Sequence, residues 1–218
     1  MFRVGKIQEF CQYLSMSGLL PFRTAGIIEA GCDEAGRGCL AGPVVAAAVI
    51  LPKDFSHPFL NDSKKLTEKQ RSELRPFIEE HALSFAVCFV SAREIEQINI
   101  LQASLTGMYR AASQLTPQPD ELLIDGNKTL RNGTYKAHAI IKGDATYQSI
   151  AAASVLAKTY RDEYMDQLHE QFPEYNWIDN KGYPTVAHRD AIQRYGACEH
   201  HRQTFNLLGS EQLTLAFD

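Results

Sequence analysis

Two adjacent carboxylates, Asp33 and Glu34, stand inside the glycine-rich segment Gly31-Cys-Asp-Glu-Ala-Gly36-Arg-Gly38-Cys-Leu-Ala-Gly42-Pro43. Carboxylates this close repel each other unless a cation lies between them, and hard divalent cations such as Mg²⁺ prefer carboxylate oxygens. The apolar approach Ala25-Gly-Ile-Ile28 has the pattern of a β-strand that delivers both acids into a turn. Successive strand side chains point to opposite faces, so neighbours can share one site only where the strand ends and bends. Acid pairs in turns are common as plain surface features. Glycine at 31, 36, 38 and 42 counts against that reading, because a missing Cβ permits close backbone approach. Two further acids fit the same pattern: Asp125 ends the apolar run Glu121-Leu-Leu-Ile and enters Asp-Gly-Asn, and Asp144 follows Ala139-Ile-Ile in Lys-Gly-Asp. Each alone reads as a turn-capping aspartate. Together, four carboxylates at three strand ends converge on one sheet edge, where open α/β folds place their sites.

Gly36-x-Gly38 superficially suggests a dinucleotide-binding turn, but the third glycine falls at 42, one place too late. The following run Pro43-Val-Val-Ala-Ala-Ala-Val-Ile-Leu51 suits a buried strand rather than the helix that motif requires. The elements that would position the acids are strands near 26–33, 43–51, 83–90, 121–125 and 136–142. Helices are expected at 67–81, opened by a Thr67 N-cap, and at 99–115, 146–171 and 185–195. Strands first, then strands interleaved with helices, predict an α/β fold: a mixed sheet covered by helices on both faces.

With 218 residues, 44% of them hydrophobic, the chain suits one main domain with a full core and a small appendage. No apolar stretch approaches ~20 residues, which excludes a spanning helix, and residues 1–18 lack the apolar core of a signal peptide. A cytoplasmic monomer with reduced thiols is expected, since the five cysteines show no C-x-x-C pair. Net charge is −4, so basic character is local. Lys128, Arg131, Lys136 and Lys142 lie between Gly126 and Gly143 with no acid among them. Lys64, Lys65, Lys69, Arg71 and Arg75 outnumber the acids of 61–75. Positive segments bracketing acidic ligands are what a phosphodiester nuclease needs.

Asp33-Glu-Ala-Gly-Arg-Gly38 followed by Gly42-Pro-Val44 resembles the opening motif of bacterial type 2 ribonuclease H (RNase HII). Further blocks follow in the family's order: Asn61-Asp-Ser-Lys-Lys-Leu66, Leu123-Ile-Asp-Gly-Asn127, Lys142-Gly-Asp144, Ala152-Ala-Ser-Val-Leu-Ala-Lys158, Lys181-Gly-Tyr-Pro-Thr185 and His200-His-Arg-Gln-Thr-Phe205. The likeness runs from about Leu19 to Leu208. It implies an RNase H-like mixed five-stranded sheet flanked by helices. A catalytic domain would span 19–172, a small C-terminal helical lobe 173–208, and an extension and a tail would occupy 1–18 and 209–218.

The resemblance also implies an endoribonuclease that hydrolyses the RNA of RNA–DNA hybrids and cuts 5′ of ribonucleotides embedded in DNA, leaving 3′-hydroxyl and 5′-phosphate ends. Asp33, Glu34, Asp125 and Asp144 would be the catalytic set holding two Mg²⁺ or Mn²⁺ ions. The Gly36-Arg37-Gly38 turn would approach the 2′-hydroxyl that tells RNA from DNA, Tyr183 would stack on the following sugar, and Lys64 would contact phosphate. Asp162, Glu163 and Asp166 read as a solvated helix face. His188, Cys198, His200 and His201 have no zinc spacing.

A junction resolvase on the same fold would share the carboxylates but lack the Gly-Arg-Gly turn and the tyrosine block. A non-catalytic nucleic-acid binder would have no use for four acids beside phosphate. Beyond the last block, Gln212-Leu213-Thr-Leu215-Ala-Phe217 resembles the Gln-Leu-x-Leu-x-Phe peptide with which bacterial proteins dock on the sliding clamp.

Overall fold

The computed structural model describes residues 18–60, 66–130 and 133–209. Five strands form one mixed sheet: β1 (Glu29–Ala35), β2 (Val44–Ile50), β3 (Ser84–Val90), β4 (Glu121–Asp125) and β5 (Lys136–Ile140), in the order β3-β2-β1-β4-β5. The first three strands are antiparallel to one another, whereas β4 and β5 run parallel to β1. The helices are α1 (Glu68–His81), α2 (Ala92–Ile98), α3 (Ile100–Ala112), α4 (Gln148–Gln171), α5 (Trp177–Asn180) and α6 (Val186–Tyr195). None of the described helices is long and apolar enough to cross a membrane.

β2 reads Val-Val-Ala-Ala-Ala-Val-Ile and is buried at every residue, because both faces of the sheet are covered. Ala47 and Val49 pack beneath α1 and α4, and Ala46, Ala48 and Ile50 pack beneath α3. α4 lies against β1 so tightly that a Cβ on Gly31 would sit 2.2 Å from the Ser149 carbonyl carbon. That close approach brings the face of α4 carrying Ser154 and Lys158 (i, i+4) to the end of β1. The C-terminal half of α4 continues past the sheet, where Met165 and Leu168 join Leu40, Tyr175, Trp177 and Ile192 in a separate apolar cluster.

The expected helix starts hold. The Thr67 hydroxyl accepts from Gln70 N (3.2 Å) while Gln70 Oε1 accepts from Thr67 N (2.8 Å), a reciprocal capping box. Thr185 caps α6, and Gly196 at φ +81° ends it. Two helices fall outside the expected ranges, the four-residue α5 and α2; α2, capped by Ser91, is divided from α3 by Asn99 at φ 65°. Its seven residues are too few to show a periodic pattern.

β1 is also displaced from the expected 26–33. The carboxylate of Glu29 accepts from the backbone N–H groups of Arg23 (2.7 Å) and Thr24 (2.8 Å), which holds the preceding residues in a turn and starts the strand at Glu29. Asp33 and Glu34 therefore lie within the strand, paired to Ala47 and Ala46, rather than in the turn beyond it.

Candidate active site

Strand alternation separates the two adjacent acids. Asp33 shares the α4 face with its cross-strand partner Ala47, and Glu34 starts on the α3 face with Ala46. What joins Asp33 is instead Asp125, the last residue of β4. β1 and β4 pair in parallel through Cys32 and Ile124, so the next step of the register sets Asp125 beside Asp33. Asp144 arrives from a 3₁₀ turn, Gly143–Ala145, entered through Lys142 at φ 57°. The Gly143 N–H donates to Asp125 Oδ1 at 2.7 Å and ties that turn to β4.

Asp33, Asp125 and Asp144 each present an oxygen within 4.8 Å of the other two. Glu34 is outside this triad but lines the same cleft, its Oε1 accepting from Arg37 Nη1 at 3.2 Å. Burial, then the charges of Glu34 and Asp125, push the Asp33 carboxyl well above the usual carboxylate range; hydrogen bonds from Ser154 and the Glu34 N–H oppose this. A group of hard oxygen donors under mutual repulsion matches the donor chemistry of a divalent cation.

Asp33 and Asp125 of the triad, with Glu34, form one wall of a cleft of about 460 Å³, and Asp144 lies buried behind them. The other walls are the 36–38 turn, Arg71 of α1, Ser154 and Lys158 of α4, and Tyr183. The two glycines of the turn differ. Gly36 has φ +92°, and a Cβ there would sit 2.0 Å from Arg161 Nε, so the protein's own packing demands glycine. Gly38 is exposed, and a Cβ there would meet nothing within 4 Å. Only something entering the cleft can require Gly38. Tyr183 is 39% exposed and follows Gly182 at φ +80°. Lys158 Nζ lies 5.5 Å from its ring centroid, and the Arg161 guanidinium 5.8 Å.

A family model described as Ribonuclease HII matches residues 30–208. The Ribonuclease HII of Bacteroides thetaiotaomicron is 60% identical over 199 residues, 91% of this chain and 100% of that protein. The chain belongs to the ribonuclease HII family. In fold it resembles the ribonuclease H2 of Pyrococcus horikoshii, at TM-score 0.68 and 24% identity over 83% of this chain and 94% of that one. It also resembles the RNase HII of the PCNA:RNase HII complex from Archaeoglobus fulgidus, at TM-score 0.66 and 24% identity over 86% and 98%.

Of the ribonuclease HII blocks, those carrying Asp33 to Gly38, Asp125, Ser154, Lys158 and Tyr183 line the cleft, and the 142–144 and 200–205 blocks do not. Lys64 and the tail residues Gln212, Leu213, Leu215 and Phe217 lie outside the described residues. Of the basic residues of 61–75, Arg71 reaches the cleft, whereas Arg75 is drawn off to Glu79 and Glu163 at 2.8 and 2.7 Å. Lys136 pairs with Glu121. Asp162, Glu163 and Asp166 pair with Lys158, Arg75 and Lys181, and the side chains of Glu163 and Asp166 stay largely exposed, as a solvated face requires.

His188 and His201 form a buried network. His188 Nδ1–H donates to Tyr183 O (2.9 Å) and Cys198 N–H donates to His201 Nδ1 (3.0 Å). That assigns the tautomers: His201 Nε2–H donates to His188 Nε2 (3.2 Å), which also accepts from Trp177 Nε1 (3.0 Å). Both imidazoles are held neutral, and burial lowers His201 to about 4.

Sequence reasoning did not single out Arg71, Ser154 or Lys158 as cleft residues. The i, i+4 spacing of Ser154 and Lys158 was the available signal, since it puts both on one helix face. For Arg71 the signal was the basic excess of 61–75, which does not say which of its cations reaches the cleft.

Proposed function

We propose that this chain is an endoribonuclease that hydrolyses the RNA strand of RNA–DNA hybrids and cuts on the 5′ side of ribonucleotides embedded in duplex DNA, leaving 3′-hydroxyl and 5′-phosphate ends. The observation that carries this reading is the convergence of Asp33, Asp125 and Asp144 within 4.8 Å, two of which, Asp33 and Asp125, line one cleft with a glycine turn that is open to solvent at Gly38. Divalent ions, Mg²⁺ or Mn²⁺, held by these three and Glu34 would supply a water of lowered pKa and would neutralise the scissile phosphate.

The protein's own groups do the positioning. Arg71 and Lys158 offer cations to the nucleic-acid backbone on the wall facing the triad. The open turn at 36–38 admits the 2′-hydroxyl edge of a ribose, which a side chain at 38 would obstruct. The Tyr183 ring, backed by Lys158 and Arg161, offers its exposed part to the next sugar. Residues 19–172 carry the chemistry in this reading, and 173–208 present Tyr183 as a monomer's second wall.

Incubation with a DNA duplex carrying one ribonucleotide tests the proposal. A single cut 5′ of the ribonucleotide with Mg²⁺ or Mn²⁺, abolished by EDTA, is expected. Cutting of branched all-DNA substrates instead would favour a resolvase, and binding without cleavage would favour a non-catalytic module.

A clamp partner is part of the same proposal. The archaeal relative named above is described in complex with PCNA, and Gln212-Leu-Thr-Leu-Ala-Phe217 has the glutamine and spaced apolar anchors of a docking peptide. A peptide spanning 209–218 should bind a purified bacterial clamp, and the Leu215→Ala/Phe217→Ala peptide should not. Equal binding by both would remove the tail from consideration.

A further inference from the structure

Arg161 and Arg202 are each 0% exposed, although a buried charge costs several kcal/mol unless its hydrogen bonds are made. The hydrogen-bond partners of both are main-chain carbonyls. Arg202 donates Nε and Nη2 to Gly42 O (3.1 and 3.0 Å) and Nη1 to Arg37 O (2.9 Å). Arg161 donates Nε to Pro43 O (3.1 Å), Nη2 to Ala41 O (3.1 Å) and Nη1 to Lys181 O (2.8 Å). The two guanidiniums thus collect four carbonyls of the 37–43 segment and one from the approach to Tyr183. A helix or sheet would satisfy such carbonyls with N–H groups. Here two arginines do so, from residues 160 and 120 positions away in sequence from the carbonyls they hold.

The bond to Arg37 O has a directional consequence. In a planar trans peptide the C=O and the following N–H point opposite ways. Drawing the Arg37 carbonyl inward to Arg202 therefore turns the Gly38 N–H outward. Gly38 is exposed and lines the cleft that holds Asp33. We propose that Arg202 is a positioning residue for ribose recognition: it sets the plane of the 37–38 peptide so that the Gly38 N–H donates to the 2′-hydroxyl. Arg161 locks the same loop to the Tyr183 segment, so both recognition elements share one frame. This deepens the proposed reading of the 36–38 turn and rests on it.

The test is an affinity ratio, measured by fluorescence anisotropy in EDTA: full-length protein with a duplex carrying one ribonucleotide, against the same duplex in all-DNA form. Arg202→Lys keeps the charge but loses the planar fork that engages two carbonyls at once. The ratio should fall by roughly fivefold or more, the equivalent of one hydrogen bond, with all-DNA affinity within about twofold of the parent. A purely structural arginine would shift melting temperature and both affinities together. A folded Arg202→Lys protein with the parent's ratio overturns the proposal.

Gly38→Ala separates this from the underlying reading. If Gly38→Ala lowers the ratio and Arg202→Lys does not, only the role of Arg202 fails. If neither lowers it, or the parent shows no ribonucleotide preference, the reading of the turn fails with it. Should Arg202→Lys not fold, a backbone ester at the 37–38 linkage removes the Gly38 N–H and leaves both arginines in place. An unchanged ratio then overturns the proposal, and a lost one supports it.

Discussion

The acidic triad, beside the start of the 36–43 loop, and the arginine pair that holds that loop are two like-charge clusters largely withdrawn from solvent, and they are resolved in different ways. Asp33, Asp125 and Asp144 are set against one another at 4.8 Å or less, and the Asp33 carboxyl is pushed upward by burial and by its neighbours. Arg161 and Arg202 are equally withdrawn from solvent, yet six guanidinium hydrogen bonds to carbonyls satisfy them from within the chain. Burial lowers Arg202 only to about 10, so it stays charged at neutral pH. The lesson is that buried charge alone does not mark a ligand site. A cluster the fold leaves in conflict invites a ligand of opposite charge, and one the fold completes serves the architecture.

Asp125→Asn should break the acidic half most severely. Cleavage should fall by roughly 10³-fold, because removing one proposed ligand forfeits several kcal/mol of charge stabilisation in the transition state. Metal-free hybrid binding should hold or improve as negative charge leaves the phosphate wall. Mg²⁺ or Mn²⁺ should raise the melting temperature of the parent and not of this variant, a readout independent of turnover. Equal metal-induced shifts in both proteins would remove Asp125 from the ligand set.

The arginine half should fail through stability. Arg202→Gln leaves the Gly42 and Arg37 carbonyls short of donors, at about 1–3 kcal/mol for each unsatisfied group. For a chain of this size, a total of about 3 kcal/mol lowers the melting point by roughly 6–12 °C, measurable by scanning calorimetry. A change below about 2 °C would mean that water replaces the guanidinium there.

The two glycines of the turn offer a finer comparison. Gly36→Ala should cost about 2 kcal/mol or more, from the left-handed backbone and the collision with Arg161. Gly38→Ala should leave stability within about 0.5 kcal/mol while lowering cleavage of a single-ribonucleotide duplex by roughly tenfold. Matching stability losses in the two variants would contradict the open space found at Gly38.

The smallest effect concerns pH. His201 has a folded-state pKa of about 4, below the ordinary histidine value. Between those values the unfolded chain binds more protons, so stability falls as pH drops from about 6.5 towards 4 and levels off below. His201→Asn should flatten that part of a melting-temperature profile. An unchanged slope would place the acid sensitivity elsewhere, with His188 next in line because burial lowers it too.

Much of the candidate site was legible because acids near strand ends leave local traces. An apolar run of the right length and a carboxylate in the glycine-containing turn that follows it suffice to single out Asp125 and Asp144, and the five strands follow from the same periodicity. The cap at Thr67 and the stop at Gly196 are equally local. The partition of Asp33 and Glu34 was not legible. Adjacent acids look equivalent in a sequence, and only the true start of β1, held by Glu29 accepting from Arg23 and Thr24, fixes which face each one takes.

What the sequence by itself determined is the inventory: four acids, a Gly-Arg-Gly turn, a tyrosine block and the strands and helices that carry them, since these depend on neighbours within a few residues. Tertiary structure alone decided which acids meet, that Ser154 and Lys158 face them, and that the carbonyls of a loop near residue 40 are held by arginines at 161 and 202. Those outcomes depend on strand register and on one close helix-to-strand contact at Gly31. They join residues as far as 165 positions apart, beyond the reach of any local pattern.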